Sequence, residues 1–343
     1  MDGMASTRYE REATLRASED AVRCVVALPD GRVVVGGSRD GDLEVWHRKL
    51  GRVMTLTGHE GTVRCALLTR AGVLVSGADD CTIKCWDLAN GSCLQTLSGH
   101  AHGIELLAEL SGDRLVSGTD GGGGTESALK VWGLRSGQCL RSLEQSIGLV
   151  CVMPLSDGRR IISCGFDLLL KVWDANDGSC LERLELSSEI IHCLAQLPDG
   201  RVISGGVQEE EGSFPVRIKI WDFEGLHSRR LGDLGSRCRC VAILPDGHAI
   251  FGLGSGTLEI WDLASPIHPA RRVQSLIVGH GRTVYSVCVA VAVLPDGRLA
   301  SGSTDGTLTI YADTTRETEK QLARQVGRQR ACVDVVNVIT RYL

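Results

Sequence analysis

All six tryptophans of the chain, at positions 46, 86, 132, 173, 221 and 261, recur at intervals of 40, 46, 41, 48 and 40 residues, and Tyr311 continues the series 50 residues on. Self-similarity at such a period means one supersecondary unit repeated along the chain, which constrains the fold more than any local propensity does. A second marker, Leu-Pro-Asp-Gly, returns at Leu28, Leu197, Leu244 and Leu294, each time just ahead of a strand-prone run. Seven units between residues 21 and 312 average about 42 residues.

The stretch from Gly58 to Asp87 shows what each unit contains. Apolar runs at Val63–Leu67, Val73–Val75 and Ile83–Trp86 are strand-length, and turn residues at 70–72 and 78–80 separate them. A fourth run, 93–97, follows the Asn90-Gly91 turn and ends at the next Gly-His pair. Four short antiparallel strands per unit define an all-β chain. One such sheet cannot bury its own faces, so neighbouring units must stack.

The intact Trp-Asp pairs at Trp86, Trp173, Trp221 and Trp261, with Gly-His pairs ending at His59, His100 and His280, make the chain resemble the WD-repeat β-propeller family over nearly its whole length. The resemblance implies a seven-bladed propeller of four-stranded antiparallel blades. It also implies a buried hydrogen-bonded set in each blade, formed by the turn His, a strand Ser, a loop Asp and the Trp. That set is His59, Ser76, Asp80 and Trp86 in the second unit, and His100, Ser117 and Trp132 in the third, where an insertion displaces the Asp. In the seventh it is His280, Ser301 and Asp305, with Tyr311 in place of Trp. The fourth keeps Ser163, Asp167 and Trp173 without a His, and the sixth has Gly252-Leu253-Gly254 where Ser-Gly is expected.

A ring must be closed, and the spacing indicates how. Leu15 precedes Val22 by seven residues, as Leu56 precedes Val63, so residues 11–16 are expected to be the outer strand of the seventh blade. The domain expectation is a flexible lead-in at 1–10, a propeller at 11–312 and a partly helical tail at 313–343. In that tail 316–329 is helix-prone and 331–339 is β-prone. Insertions at 120–126 and 208–215 fall at the same turn of the third and fifth units. Four extra residues in the seventh unit are placed within 288–293.

Composition narrows the functional classes. A net charge of −5 gives no support for nucleic-acid binding. The charged N-terminus does not read as a secretory signal, and no apolar run is long enough for a membrane helix. Nine of the fourteen cysteines follow the repeat: Cys24, Cys65, Cys151, Cys193, Cys240 and Cys288 on inner strands, and Cys93, Cys139 and Cys180 on outer ones. They are expected to be small core residues in a reduced, cytoplasmic or nuclear protein, with no zinc or other cofactor. No convergent polar set for catalysis is found. The glycine runs at 121–124 and 252–256 lack the helix a nucleotide loop needs.

The most informative positions are those aligned with Arg64: Arg23, Arg64, Glu105, Val150, His192, Arg239 and Tyr285 in units one to seven. On a closed ring Arg239, Tyr285, Arg23 and Arg64 form an arc at the channel mouth, with Arg39 on the same rim. Converging guanidinium groups suit a carboxylate or phosphate. The segments Ala21–Cys24, Ser38–Asp40 and Thr62–Cys65 resemble those with which F-box WD-repeat substrate receptors hold phosphorylated degrons. The roughly 20 residues ahead of the first unit leave no F-box expected in this chain. The expected role is a non-catalytic protein-interaction scaffold or adaptor in a multiprotein complex, binding on the top rim. The alternatives are a phosphopeptide reader for a ubiquitin ligase built from separate subunits, and a purely structural subunit.

Overall fold

A computed structural model describes residues 9–119, 129–143, 148–186, 189–208, 216–222, 227–263, 270–277 and 288–314. The expectations for the lead-in before Tyr9, the inserted turns at 120–126 and 209–215, and the tail from 315 lie outside these residues. What is described forms seven four-stranded antiparallel sheets, six of them made of four consecutive strands. The seventh combines Cys288–Val293, Leu299–Ser303 and Thr307–Asp313 with the first strand of the chain, Tyr9–Arg16. That strand pairs antiparallel with Thr307–Asp313, from Tyr9 opposite Asp313 to Arg16 opposite Thr307, and so ties the two ends of the ring together. It starts two residues before the strand expected at 11–16.

Blade 2 has its strands at Val63–Leu68, Leu74–Ala78, Thr82–Trp86 and Cys93–Ser98, close to the runs in the sequence. The upper face of the ring carries the turns between blades and the turns between second and third strands. The lower face carries the other two kinds of turn. The core lies between blades: Val26, Leu43 and Leu56 of blade 1 pack with Val63, Leu74 and Trp86 of blade 2. The Ser-Gly pair of the second strand serves this stacking. A Cβ on Gly77 would come 2.5 Å from Ile104 Cγ2 of the next blade, so only glycine lets the neighbouring inner strand this close.

In blade 7 the inner strand, Cys288–Val293, has six residues, as Val63–Leu68 does. The register pairs Val291 with Ser301 as it pairs Ala66 with Ser76, so the four extra residues come before Cys288, outside the described residues, and not within 288–293. Among the cysteines, Cys24, Cys65, Cys151, Cys193 and Cys240 are buried. Cys93 and Cys139 are exposed and Cys180 is half-buried, which corrects the expectation that the outer-strand cysteines fill the core. Their thiols turn back along their own strands, to the carbonyls of Gln95, Arg141 and Glu182. The outer strand is the rim of the disc, with no further blade face to pack on.

Candidate functional site

In blade 2, Nε2 of the buried His59 lies 2.7 Å from Ser76 Oγ, and its Nδ1 lies 2.8 Å from Asp80 Oδ2. The Trp86 indole N–H donates to the same Ser76 oxygen at 2.8 Å. Burial lowers the His59 pKa, and the Asp80 carboxylate resists the fall. Burial opposes ionisation of Asp80 as well, but the Glu60 N–H, Thr82 and His59 donate to it and hold its pKa below the ordinary value. Blade 3 repeats the set, with His100 Nε2 2.6 Å from Ser117 Oγ and Trp132 donating to that oxygen at 2.8 Å. Burial, with Lys130 and His102 nearby, pushes His100 down to about 3. These groups stitch the turn, second strand and third strand of a blade together on its upper side, and so fix the rim above.

A buried hydroxyl or indole N–H left unpaired costs about 1–3 kcal/mol, so a blade that loses a member of the set must replace it. Two replacements occur. Blades 4 and 5 keep the Ser–Trp bond, Trp173 to Ser163 and Trp221 to Ser204, both at 2.8 Å. In both, a lysine two residues before the tryptophan turns inward. Lys171 meets Asp167 at 2.8 Å, its Nζ 6.0 Å from the Trp173 ring centroid, and Lys219 pairs with the buried Glu189 and lies 5.8 Å from the Trp221 ring. Blades 1 and 6 lose the serine instead. The strand register puts Val35 and Phe251 at its position. The indoles of Trp46 and Trp261 then donate to Glu44 at 2.9 Å and Glu259 at 3.0 Å, and Arg52 and Arg272 of the outer strands neutralise those carboxylates. In blade 7 the Tyr311 hydroxyl donates to the Ile277 carbonyl at 3.3 Å, while Ser301 Oγ has no partner among the described residues. Asp305 caps its turn by accepting from the Thr307 N–H, and His280 lies outside the described residues.

The mouth of the channel is built by a repeated irregularity. In blades 2 to 7 the pairing of the inner strand with the second slips by one residue, leaving Arg64, Glu105, Val150, His192, Arg239 and Val289 as the extra residue of a β-bulge. A bulge re-aims the side chain it carries. Arg23, just ahead of the inner strand Cys24–Ala27, donates its N–H to the Gly36 carbonyl. The register gives the blade 7 position to Val289 and not to Tyr285, because the four extra residues come before the strand. Tyr285 lies outside the described residues.

Arg64 is engaged from two sides. Its Nε and Nη2 donate to Asp79 at 2.7 and 3.0 Å, and Nη1 lies 3.4 Å from the Glu105 carboxylate of the next blade. Arg39 is 85 % exposed in its side chain and touches Asp20 at 3.3 Å. Across the mouth, burial pushes His192 down to about 4, helped by the charges of Arg237 and Arg239. Arg237 is exposed and belongs to this basic corner. Sequence reading passed over it, although the alternation Ser236-Arg237-Cys238-Arg239 is visible there. Among the described residues no group of three or more His, Cys, Asp or Glu side chains is placed to hold a metal ion, and no helix is long and apolar enough to cross a membrane.

The family description "WD domain, G-beta repeat" matches residues 9–47, 51–87, 137–174 and 271–311. The matched units are WD repeats, and the fold is a propeller. The WD40 β-propeller domain of Doa1, a crystal structure, superposes with a TM-score of 0.73 over 89 % of this chain and 97 % of its own, at 21 % identity, a likeness of fold. Protein Notchless of Drosophila melanogaster is 36 % identical over 89 residues, which is 26 % of this chain and 18 % of Notchless. Nuclear distribution protein nudF 1 of Talaromyces marneffei is 46 % identical over 69 residues, 20 % of this chain and 15 % of that protein. The matches thus span under a fifth of each of these two relatives. Each family match starts on an outer strand and ends on the third strand of the next blade, one strand out of phase with the blades themselves. That offset is why the first strand of the propeller completes its last blade.

Proposed function

We propose that this propeller is a non-catalytic protein-interaction platform that takes partners on its upper rim, at the mouth flanked by blades 5 and 6 on one side and 1 and 2 on the other. Propellers of this family generally serve as protein-binding modules, which supports the broad reading. The observation that carries the choice of face is Arg64. Held between Asp79 of its own blade and Glu105 of the next, it is a solvent-reachable polar cluster assembled from two blades. Such groups can exchange an internal partner for an external one at small net cost, because the charges are already partly desolvated and preorganised. The exposed Arg39 and Arg237 flank this region and suit an acidic partner segment.

The exposure of Arg39 also favours a narrower reading, in which the segment is phosphorylated and its phosphate displaces Asp79 from Arg64. Capture from lysate with wild-type protein, Arg39→Glu/Arg237→Glu, and the lower-face control Arg135→Glu tests both readings. Partners lost only from the Arg39→Glu/Arg237→Glu variant are the expected result, and loss on phosphatase treatment as well selects the phosphorylated ligand. Retention of every partner by that variant would overturn the choice of face.

A further inference from the structure

The inner strands of blades 2, 4, 5 and 6 carry a buried cysteine directly after the bulge: Cys65, Cys151, Cys193 and Cys240. In blades 2 and 4 that thiol reaches across to the next blade. Cys65 donates to the Ile104 carbonyl at 3.5 Å, and Cys151 to the Ile191 carbonyl at 3.6 Å. Ile104 and Ile191 are the residues directly before the bulge of the receiving strand. At the junction of blades 5 and 6 the register gives that receiving position to Cys238. A thiol therefore meets a thiol, and Cys193 Sγ lies 3.0 Å from Cys238 Sγ.

The surroundings keep the two sulfur atoms together. Both side chains are wholly buried. A Cβ on Gly205 would come 2.7 Å from Cys193 Sγ and 2.8 Å from Cys238 Sγ, so the glycine behind them is what leaves room for the contact. Their other hydrogen-bond acceptors are distant carbonyls, Gly205 for Cys193 at 3.7 Å and Cys240 for Cys238 at 3.5 Å. Bonded sulfurs stand about 2.05 Å apart, so closing the gap takes a movement of about 1 Å. The channel mouth is one residue away on each strand. Cys193 follows His192, and Cys238 stands between the exposed Arg237 and the half-buried Arg239.

We propose that Cys193 and Cys238 are an oxidation site, at which a hydroperoxide converts the two thiols into a disulfide that staples blade 5 to blade 6. One thiolate attacks a peroxide oxygen and the O–O bond breaks, leaving a sulfenic acid and one water. The second sulfur then attacks the sulfenic sulfur. The S–S bond forms, the S–O bond breaks, and the hydroxyl departs with the remaining proton as a second water. Two thiols are thus oxidised by two electrons and the peroxide is reduced to two waters. Burial and the contact with Cys193 hold the Cys238 pKa well above its ordinary value, so thiolate is scarce and the reaction is slow. Such a site suits a small, neutral oxidant and excludes a bulky disulfide. The staple ties the strand that carries His192 to the strand that carries Arg239, and so fixes the spacing of the basic corner of the mouth. The register also sets Cys151 opposite Cys164 in blade 4, but a bond there would join two strands of one sheet that are already paired.

Hydrogen peroxide treatment of folded Cys93→Ser/Cys139→Ser protein, which lacks the two exposed thiols, followed by tryptic mapping without reduction, tests the site. Cleavage after Arg237 and Arg239 separates Cys238 from Cys240, so a peptide joining residues 184–201 to Cys238-Arg239 identifies the bond. The expected result is that peptide as the main product at these two cysteines, with a rise of about 5 °C in thermal midpoint that a further Cys238→Ala change abolishes. Recovery of Cys193 and Cys238 from the treated protein as free thiols, or as separate sulfinic acids, would overturn the inference. A link that forms only after unfolding in urea would do so too, because the folded contact would then play no part.

Discussion

Acid should weaken this propeller through His100, and the size of the effect follows from its surroundings. The ring is buried against Trp132 and Ser117, and its pKa falls to about 3, whereas an unfolded histidine titrates near 6.5. The folded pKa is the depressed one, so the stabilisation is complete above 6.5 and is lost as the pH falls from there towards 3. In that window the unfolded chain binds a proton that the folded chain refuses. Between pH 7 and pH 5 this one group should remove about 2 kcal/mol. His100→Gln keeps a polar partner for Ser117 and removes the titration. Urea unfolding of wild type and His100→Gln at both pH values gives the double difference, and the variant should lose about 2 kcal/mol less than wild type on acidification. An equal loss in both proteins would refute the assignment of a neutral, buried His100.

Three further outcomes are expected. Lys171→Met should destabilise by about 3 kcal/mol in urea unfolding, because it leaves the Asp167 carboxylate without the buried ammonium that faces it, and a change under 1 kcal/mol would contradict this. Gly205→Ala would bring a Cβ to 2.7 Å from Cys193 Sγ and 2.8 Å from Cys238 Sγ, so about 1–3 kcal/mol should be lost, seen as a lowered thermal midpoint. Removing residues 1–16 strips the outer strand from blade 7 and bares the edge of Thr307–Asp313. Light scattering should then show self-association that the intact chain does not.

Much of this arrangement is legible in the repeat. Trp86, Ser76 and His59 could be assigned because each side chain recurs at a fixed offset, and a buried hydrogen-bonded set tolerates little drift in spacing. The closing strand was legible for the same reason, since Leu15 and Val22 keep the interval of Leu56 and Val63. Where units diverge, sequence reading falls short. Glu44 and Glu259 look like ordinary surface residues of a third strand, and Lys171 and Lys219 occupy the same register position as the outward-facing Lys84. Which way such a side chain turns depends on whether the serine of the neighbouring strand or the histidine of the turn is missing, a fact of three dimensions.

The repeat and the WD-family resemblance it carries pointed to an all-β ring of seven blades, and the interval from Leu15 to Val22 to the means of its closure, because a four-stranded unit that cannot bury its own faces must stack on its neighbours. Only the tertiary structure decided the bulges. They set Arg64 between Asp79 and Glu105 and gave blade 7's mouth position to Val289. A bulge shifts pairing by one residue without changing the sequence pattern on either side of it, so strand periodicity does not reveal where it falls.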